Sequence, residues 1–222
     1  MRYAIVPAYN EEKTIGEVIR RLKKLNFKVI VVDDGSKDKT YNIAKSLKVL
    51  VIRHKKNRGK GEALKSAFNF LKNKKFKSCV IIDADLQFLP EEAPKIAKMV
   101  EKGYDIVMGA RNWSQVPFRH RLGNFIWRSL FNFFFGTKLK DSNCGFIGLS
   151  NNAIKKIKNI YGGYIIENSI LAEGIKHKMK IINVPVQVVY HKKSKILRGI
   201  RVVLGVSFFI IKEGIKYLFS KF

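Results

Sequence analysis

Val80-Ile81-Ile82-Asp83-Ala84-Asp85-Leu86-Gln87 is the stretch on which the reading of this chain turns. A brief, β-branched apolar run bounded by polar residues reads as a buried strand. It stops at two carboxylates one residue apart. On an extended chain residues i and i+2 point to the same side, so Asp83 and Asp85 are expected to face one point beyond the strand. Gln87 shares that parity if the chain stays extended. Two anionic oxygens and an amide oxygen at one point suit a hard divalent cation, Mg2+ or Mn2+. Such an ion keeps waters and binds phosphates rather than filling an all-protein cage. A lone D-x-D can equally be a pair of acids capping a strand in solvent, so the neighbouring segments decide.

Upstream, Tyr3 to Ala8 is a short apolar strand that runs into Pro7-Ala8-Tyr9-Asn10-Glu11-Glu12. Ile15, Val18, Ile19, Leu22 and Leu25 then recur at helical spacing. Val29 to Val32 is a strand that stops at Asp33-Asp34-Gly35-Ser36, and a helix to about Leu47 precedes the strand Val49 to Ile52. Asn57-Arg58-Gly59-Lys60-Gly61 is a turn that opens a helix with Ala63, Leu64, Ala67, Phe68 and Leu71 on one side. Beyond the acidic strand a helix starts near Pro90 and a strand runs from Asp105 to Met108. Strands alternating with helices predict an α/β fold with a mostly parallel, doubly wound sheet. Ligands of such sheets bind beyond the carboxyl ends of the strands. Tyr9-Asn10-Glu11, Asp33-Asp34-Gly35, Asp83-Ala84-Asp85 and Gly109-Ala110-Arg111 are all expected on that rim.

The net charge is +27, from 44 basic and 17 acidic side chains in 222 residues. That excess points to a polyanionic partner: nucleic acid, an anionic membrane surface or phosphorylated substrates. Lysine-rich surfaces also occur in hyperthermophile proteins. An apolar content of 46% is ample for a core. Cys79 and Cys144 lack metal-ligand spacing and read as reduced, buried thiols of an intracellular protein. The chain opens directly on a strand, with no signal-peptide pattern. The four histidines are scattered; His54 and His177 read as surface residues, whereas His120 and His191 fall near the expected site.

After Arg111 the composition changes. Arg111, Arg119, Arg121, Arg128, Lys138 and Lys140 are accompanied by no acidic residue, and aromatics crowd Phe125-Ile126-Trp127 and Phe131 to Phe135. From His191 onward eight Lys or Arg face one Glu. No apolar run reaches the roughly 18–20 residues of a spanning helix. Basic flanks around aromatic and aliphatic centres are the pattern of helices lying in a membrane surface; the alternative is that both segments pack on the sheet. Residues 1–195 are expected to form the main domain and 196–222 an amphipathic C-terminal helix.

With these motifs in order, the chain resembles the family 2 glycosyltransferases of GT-A (Rossmann-like) fold. Within them it is most similar to the polyprenyl-phosphate sugar synthases of the dolichyl-phosphate mannose or glucose type. The resemblance covers about Tyr3 to Lys195 and rests on Val6 to Glu12, Val32 to Asp38, Asn57 to Gly61, Asp83 to Gln87, Gly109 to Arg111 and Asp141 to Phe146. It implies a metal-dependent, inverting transfer of one sugar from a nucleotide sugar, GDP-mannose favoured and UDP-sugars open, to a polyprenyl or dolichyl phosphate. Pro7, Ala8, Tyr9, Asn10, Glu11 and Asp34 would line base and ribose, with Lys60 near the diphosphate and Asp83 in contact with the nucleotide sugar. Asp83, Asp85 and Gln87 would hold Mg2+ or Mn2+. Arg111, with Arg119 or Arg121, would grip the acceptor phosphate. Lys192 and Lys195 fall, with His191, where the family has a basic loop that closes over the donor. The implied location is peripheral, at the cytoplasmic face of the membrane. The Q-x-x-R-W motif of processive synthases is absent, in keeping with single-sugar transfer. Cys144 stands where the family often has Ser or Thr, and Leu89-Pro90 where it often has Pro-Pro.

The chemistry leaves two acceptor classes open. A sugar hydroxyl needs a carboxylate base within hydrogen-bond reach, for which Asp141 and Glu167 are candidates, although one reads equally as a turn carboxylate and the other as a helix-start acid. A lipid phosphate is already ionised and needs positioning by arginine. The candidate catalytic set is therefore Asp85, Arg111, Arg121 and Asp141. A nucleic-acid-binding module rests on charge alone, without a zinc-finger or aromatic RNA-binding signature, and nucleic acid is not expected as a partner.

Overall fold

The computed structural model describes residues 1–112, 118–189 and 196–220, with side chains at 118–120 and 196–201 excluded. Among the described residues seven strands form one sheet: β1 (Arg2–Ala8), β2 (Phe27–Asp33), β3 (Leu50–Arg53), β4 (Ser78–Ile81), β5 (Ile106–Arg111), β6 (Ile147–Leu149) and β7 (Ile181–Val186). Their order is β3-β2-β1-β4-β6-β5-β7. All neighbours are parallel except β6, which runs antiparallel between β4 and β5. The GT-A-type α/β sheet with flanking helices that the sequence implied is the fold observed. The continuous apolar strands are explained by it: β1, β2 and β4 are covered by helices on both faces and bury Ile5, Val31 and Val80 completely.

Helices α1 (Ile15–Lys24), α2 (Thr40–Ser46), α3 (Lys60–Leu71), α4 (Ala93–Glu101), α5 (Phe118–Phe135), α6 (Asn151–Lys156) and α7 (Ile166–Lys176) lie in the connections, and α8 (Ile196–Phe219) follows β7. The α1 stripe anticipated from spacing is the buried one, with Ile15, Val18, Ile19 and Leu22 fully enclosed.

One expectation is corrected. β4 ends at Ile81, so Asp83 to Gln87 do not continue as an extended strand. The segment turns, with Leu86 at φ 59° and the Gln87 amide donating to Asp85 Oδ1 at 3.0 Å. Aspartate side chains favour this local bond to the backbone two residues on, and it overrides strand parity.

Helices α5 and α8 lie side by side and run parallel. Gly123 faces Val203, Trp127 Nε1 donates to the Val203 carbonyl at 3.1 Å, Gly214 faces Phe134, and the Phe135 and Tyr217 rings stand 5.3 Å apart. Their inner residues Phe131, Phe135, Val206 and Ile210 join the hydrophobic core. Among the described residues no helix is long and apolar enough to cross a membrane.

A Cβ on Gly214 would overlap the Cβ of Phe134. Gly214→Ala is expected to destabilise by about 1–3 kcal/mol, seen in a thermal melt as a drop of roughly 2–12 °C. An unchanged melting temperature would mean that α8 does not pack on α5 in this way.

Candidate active site

The carboxyl ends of β1, β2 and β4 and the start of α3 converge on one rim. Beyond β1, Asn10 adopts φ 56° and zips onto the loop after β2: its amide donates to Ser36 Oγ at 3.0 Å and its Oδ1 accepts from the Lys37 amide at 2.9 Å. Glu11 N donates to Thr40 Oγ1 at 2.8 Å. Pro7 and Ala8 end β1 in register with Val32 and Asp33, and Tyr9 is exposed. Gly35 is required where it stands, because a Cβ there would meet the Lys56 backbone at 2.5 Å.

Asp34 is almost fully buried, and its carboxylate accepts from the amides of Arg58 (3.0 Å) and Gly59 (2.7 Å) and pairs with His54 Nδ1 at 2.6 Å. His54 Nε2 in turn contacts Ser66 Oγ at 2.9 Å. His54 is therefore not the surface residue its sequence context suggested. It is 7% exposed and holds Asp34. The missed signal was register: Arg53 pairs with Asp33, so the next residue of each strand meets at the same rim.

This clamp sets the first residue of α3. Lys60 Nζ stands 2.7 Å from Asp83 Oδ1 and 3.6 Å from Glu167 Oε1. Burial alone would lower the lysine's pKa; Asp83 and Glu167 outweigh it and raise it above the ordinary value. Burial raises the carboxyls of Asp85 and Glu11, and the neighbouring charge of Asp83 adds to both. Glu167 is likewise raised by burial, against the opposing pull of Lys60. Asp83, Asp85 and Glu167 thus share one electrostatic field around Lys60, and Glu11 feels the two aspartates. Gly145 leaves them room: a Cβ there would meet Asp83 Oδ2 at 3.0 Å and Lys60 Nζ at 3.2 Å.

Arg111, at the end of β5, is held by a bidentate pair to Asp141, Nε to Oδ2 at 2.7 Å and Nη2 to Oδ1 at 2.8 Å. Nη2 also reaches Asn124 Oδ1 at 2.9 Å, and Asp141 further accepts from the Asn143 amide at 3.0 Å. Asp141 is 1% exposed. Beside Arg111 opens a cavity of about 430 Å³, lined in part by Glu92, Lys95, Lys140 and Val186. Arg121 is exposed near the start of α5. The side chain of Arg119, and Lys192, Lys195 and His191 altogether, lie outside the described residues.

The donor set bears on the cation. Among the described residues no three His, Cys, Asp or Glu side chains close around one point. Asp83 and Asp85 in a shared field, with Gln87 in the same turn, are hard oxygen donors of the kind a divalent cation takes.

The model for glycosyl transferase family 2 matches residues 3–159. The chain belongs to that family. A UDP-N-acetylglucosamine–dolichyl-phosphate N-acetylglucosaminyltransferase of Methanococcus voltae is 30% identical, over 93% of this chain and 92% of that one. The dolichol-phosphate mannosyltransferase of Pyrococcus furiosus is 32% identical over 82% of this chain but 54% of its own length. Among solved structures, glucosyl-3-phosphoglycerate synthase of Mycobacterium tuberculosis superposes with a TM-score of 0.74 at 20% identity, over 96% of this chain and 78% of that one. That likeness supports the GT-A fold of this family 2 glycosyltransferase.

In this glycosyltransferase the Asp34 clamp is a stability element. His54→Ala leaves the buried Asp34 with one donor fewer and is expected to cost about 1–3 kcal/mol, with the loss appearing in denaturant midpoints at unchanged slope. A midpoint equal to wild type would remove the clamp's structural role.

Proposed function

We propose that the protein transfers a single sugar from a nucleotide sugar to a polyprenyl phosphate at a membrane surface. The observation that carries this reading is the adjacency of two unlike subsites. An acidic pocket with its own lysine lies on one rim, and an arginine fixed by Asp141 and Asn124 borders a cavity lined also by Lys140 and by Lys95 with its ion-pair partner Glu92. The names of the relatives point to a dolichyl-phosphate acceptor, and differ over the sugar.

Nucleoside diphosphate departure develops negative charge. An Mg2+ or Mn2+ held by Asp83 and Asp85, with Gln87 beside them, would supply positive charge across the diphosphate. Lys60 adds a second positive charge at the same end of the pocket. Pro7 to Glu11 and the neighbouring Asp34 loop border the space for base and ribose. Arg111, its Nε and Nη2 engaged by Asp141 and Asn124, would bring its fixed positive charge toward the acceptor phosphate, and Asp141, with both oxygens engaged by it, acts as a positioning residue and not as a base. An ionised acceptor phosphate needs no deprotonation, so the pocket functions without one.

The membrane part of the reading rests on α5 and α8. Outward from their packed faces, Leu122, Phe125 and Phe133 on one helix and Leu204, Phe208 and Phe219 on the other are exposed. Arg128 lies over the Phe125 ring, and Lys212 and Lys216 flank the second stripe. An apolar stripe with basic neighbours suits an anionic lipid surface.

Incubation with Mn2+, dolichyl phosphate and labelled GDP-mannose, UDP-N-acetylglucosamine or UDP-glucose should yield organic-extractable sugar with one of the three donors. Asp85→Asn should abolish it. Arg111→Lys should lower kcat/KM for the lipid by about tenfold to hundredfold with donor affinity kept. Transfer to a hydroxyl acceptor alone would refute the acceptor assignment. In flotation, Phe125→Ser/Phe208→Ser should release the protein from phosphatidylserine vesicles; retention would refute the membrane surface.

A further inference from the structure

We propose that Lys60 is the resident counter-ion of the acidic pocket, and that divalent cation and nucleoside diphosphate bind cooperatively because each takes over part of its ion-pair partnership. The inference rests on the nucleotide-sugar reading of the same pocket and names a regulation of it.

The geometry carries the argument. The ammonium of Lys60 sits 2.7 Å from Asp83 Oδ1 and 2.9 Å from Asp83 Oδ2, so both oxygens of one expected cation ligand already face a positive charge. Glu167, 3.6 Å from the same nitrogen, holds it from the other side. A Cβ on Gly145 would meet Asp83, Lys60 and Glu167 together, so the three groups converge on one point beside its backbone. A cation approaching Asp83 must displace the ammonium or share a carboxylate with it at close range, and like charges at that distance repel strongly. A diphosphate changes the balance by offering the ammonium new anionic oxygens. Lys60 can swing to the diphosphate from the first turn of α3 while Asp83 passes to the metal. Linkage then requires that nucleotide raise metal affinity by the same factor by which metal raises nucleotide affinity.

Binding of Mn2+ to the full chain is read from the loss of the free-ion electron paramagnetic resonance signal, alone and with GDP or UDP, after correction by protein-free titrations. Lys60→Gln is expected to bind Mn2+ alone about tenfold or more tighter than wild type. Its gain from nucleotide should shrink, with both variants' folding checked by thermal melting. Lys60→Arg, which keeps the charge, should stay close to wild type. Arg58→Gln removes an equal charge from the same turn, but its side chain pairs outward with Glu62, so it should change Mn2+ affinity far less. Unchanged or weaker Mn2+ binding by Lys60→Gln, or an equal rise in Arg58→Gln, overturns the proposal. If neither GDP nor UDP binds the wild type with Mn2+ present, the transferase reading of the pocket fails. In that case a tighter Mn2+ site in Lys60→Gln still supports the counter-ion role of Lys60.

Discussion

The ion pair of Lys60 with Asp83, backed by Glu167, is the contact to which the rest of the rim is fitted. Lys60 is the first residue of α3, where the helix dipole disfavours a cation by about 0.3–1 kcal/mol. A unit charge pair at ~4 Å near a protein surface is worth about 4 kcal/mol, so the carboxylates decide its position and the dipole does not. Glu167 lies in the first turn of α7, the end at which an anion is favoured. The pocket therefore places one cation against its helix and one anion with its helix. The mismatch at Lys60 is tolerated because three carboxylates share its field. A lysine held in that way is ready to be drawn off by a better anion.

Two clamps, remote in sequence, make the pocket rigid. His54 and the amides of Arg58 and Gly59 saturate Asp34, which ties the end of β2 to the turn that launches Lys60. On the other flank Asp141 fixes the Arg111 fork with two parallel bonds, and Asn124 of α5 adds a third. Arg111 is close enough for its charge to act on Glu167, so the two halves of the rim are electrostatically continuous. An arginine bound edge-on to a buried carboxylate would lose little further side-chain entropy on meeting the proposed acceptor phosphate. That makes Asp141 more useful as a fixture than as a proton acceptor.

How much of this was legible depended on the range of the interaction. Apolar runs such as Val29 to Val32 and the α1 stripe report strand and helix locally, and they gave the α/β alternation. The position of motifs at strand ends followed from topology alone. Strand parity misplaced the Asp83–Gln87 geometry because it presupposes extended backbone, and the Asp85 side chain bonds its own turn instead. The antiparallel insertion of β6 left no signal, since a three-residue apolar strand reads the same in either direction. Lys60 with Glu167 and Arg111 with Asp141 are separated by many residues, and their pairing exists only once the sheet has brought those loops to one edge. His54 was misread because a lone histidine after a short strand looks solvated until the neighbouring strand's register places Asp34 beside it.

The basic, aromatic second half poses a different question, since packing on the domain and lying at a membrane were set against each other. The inner faces meet the first demand, and the exposed outer faces are what the proposed membrane reading draws on. Phe131, Phe135, Val206 and Ile210 complete the core, so α5 and α8 do not need lipid in order to be ordered. Phe133 and Phe208 remain 77% and 69% exposed, far more than their hydrophobicity favours in water. Glu213, the one acid of α8, is buried and paired with Lys176 and Lys216, so it does not oppose an anionic surface. Because Asn124 of α5 bonds Arg111 directly, the helix that carries exposed Leu122 and Phe125 also holds the proposed phosphate-binding arginine. In the proposed membrane reading, a surface that seated those side chains in lipid would set the height of Arg111 above the head groups, and membrane position and acceptor position would be the same structural variable.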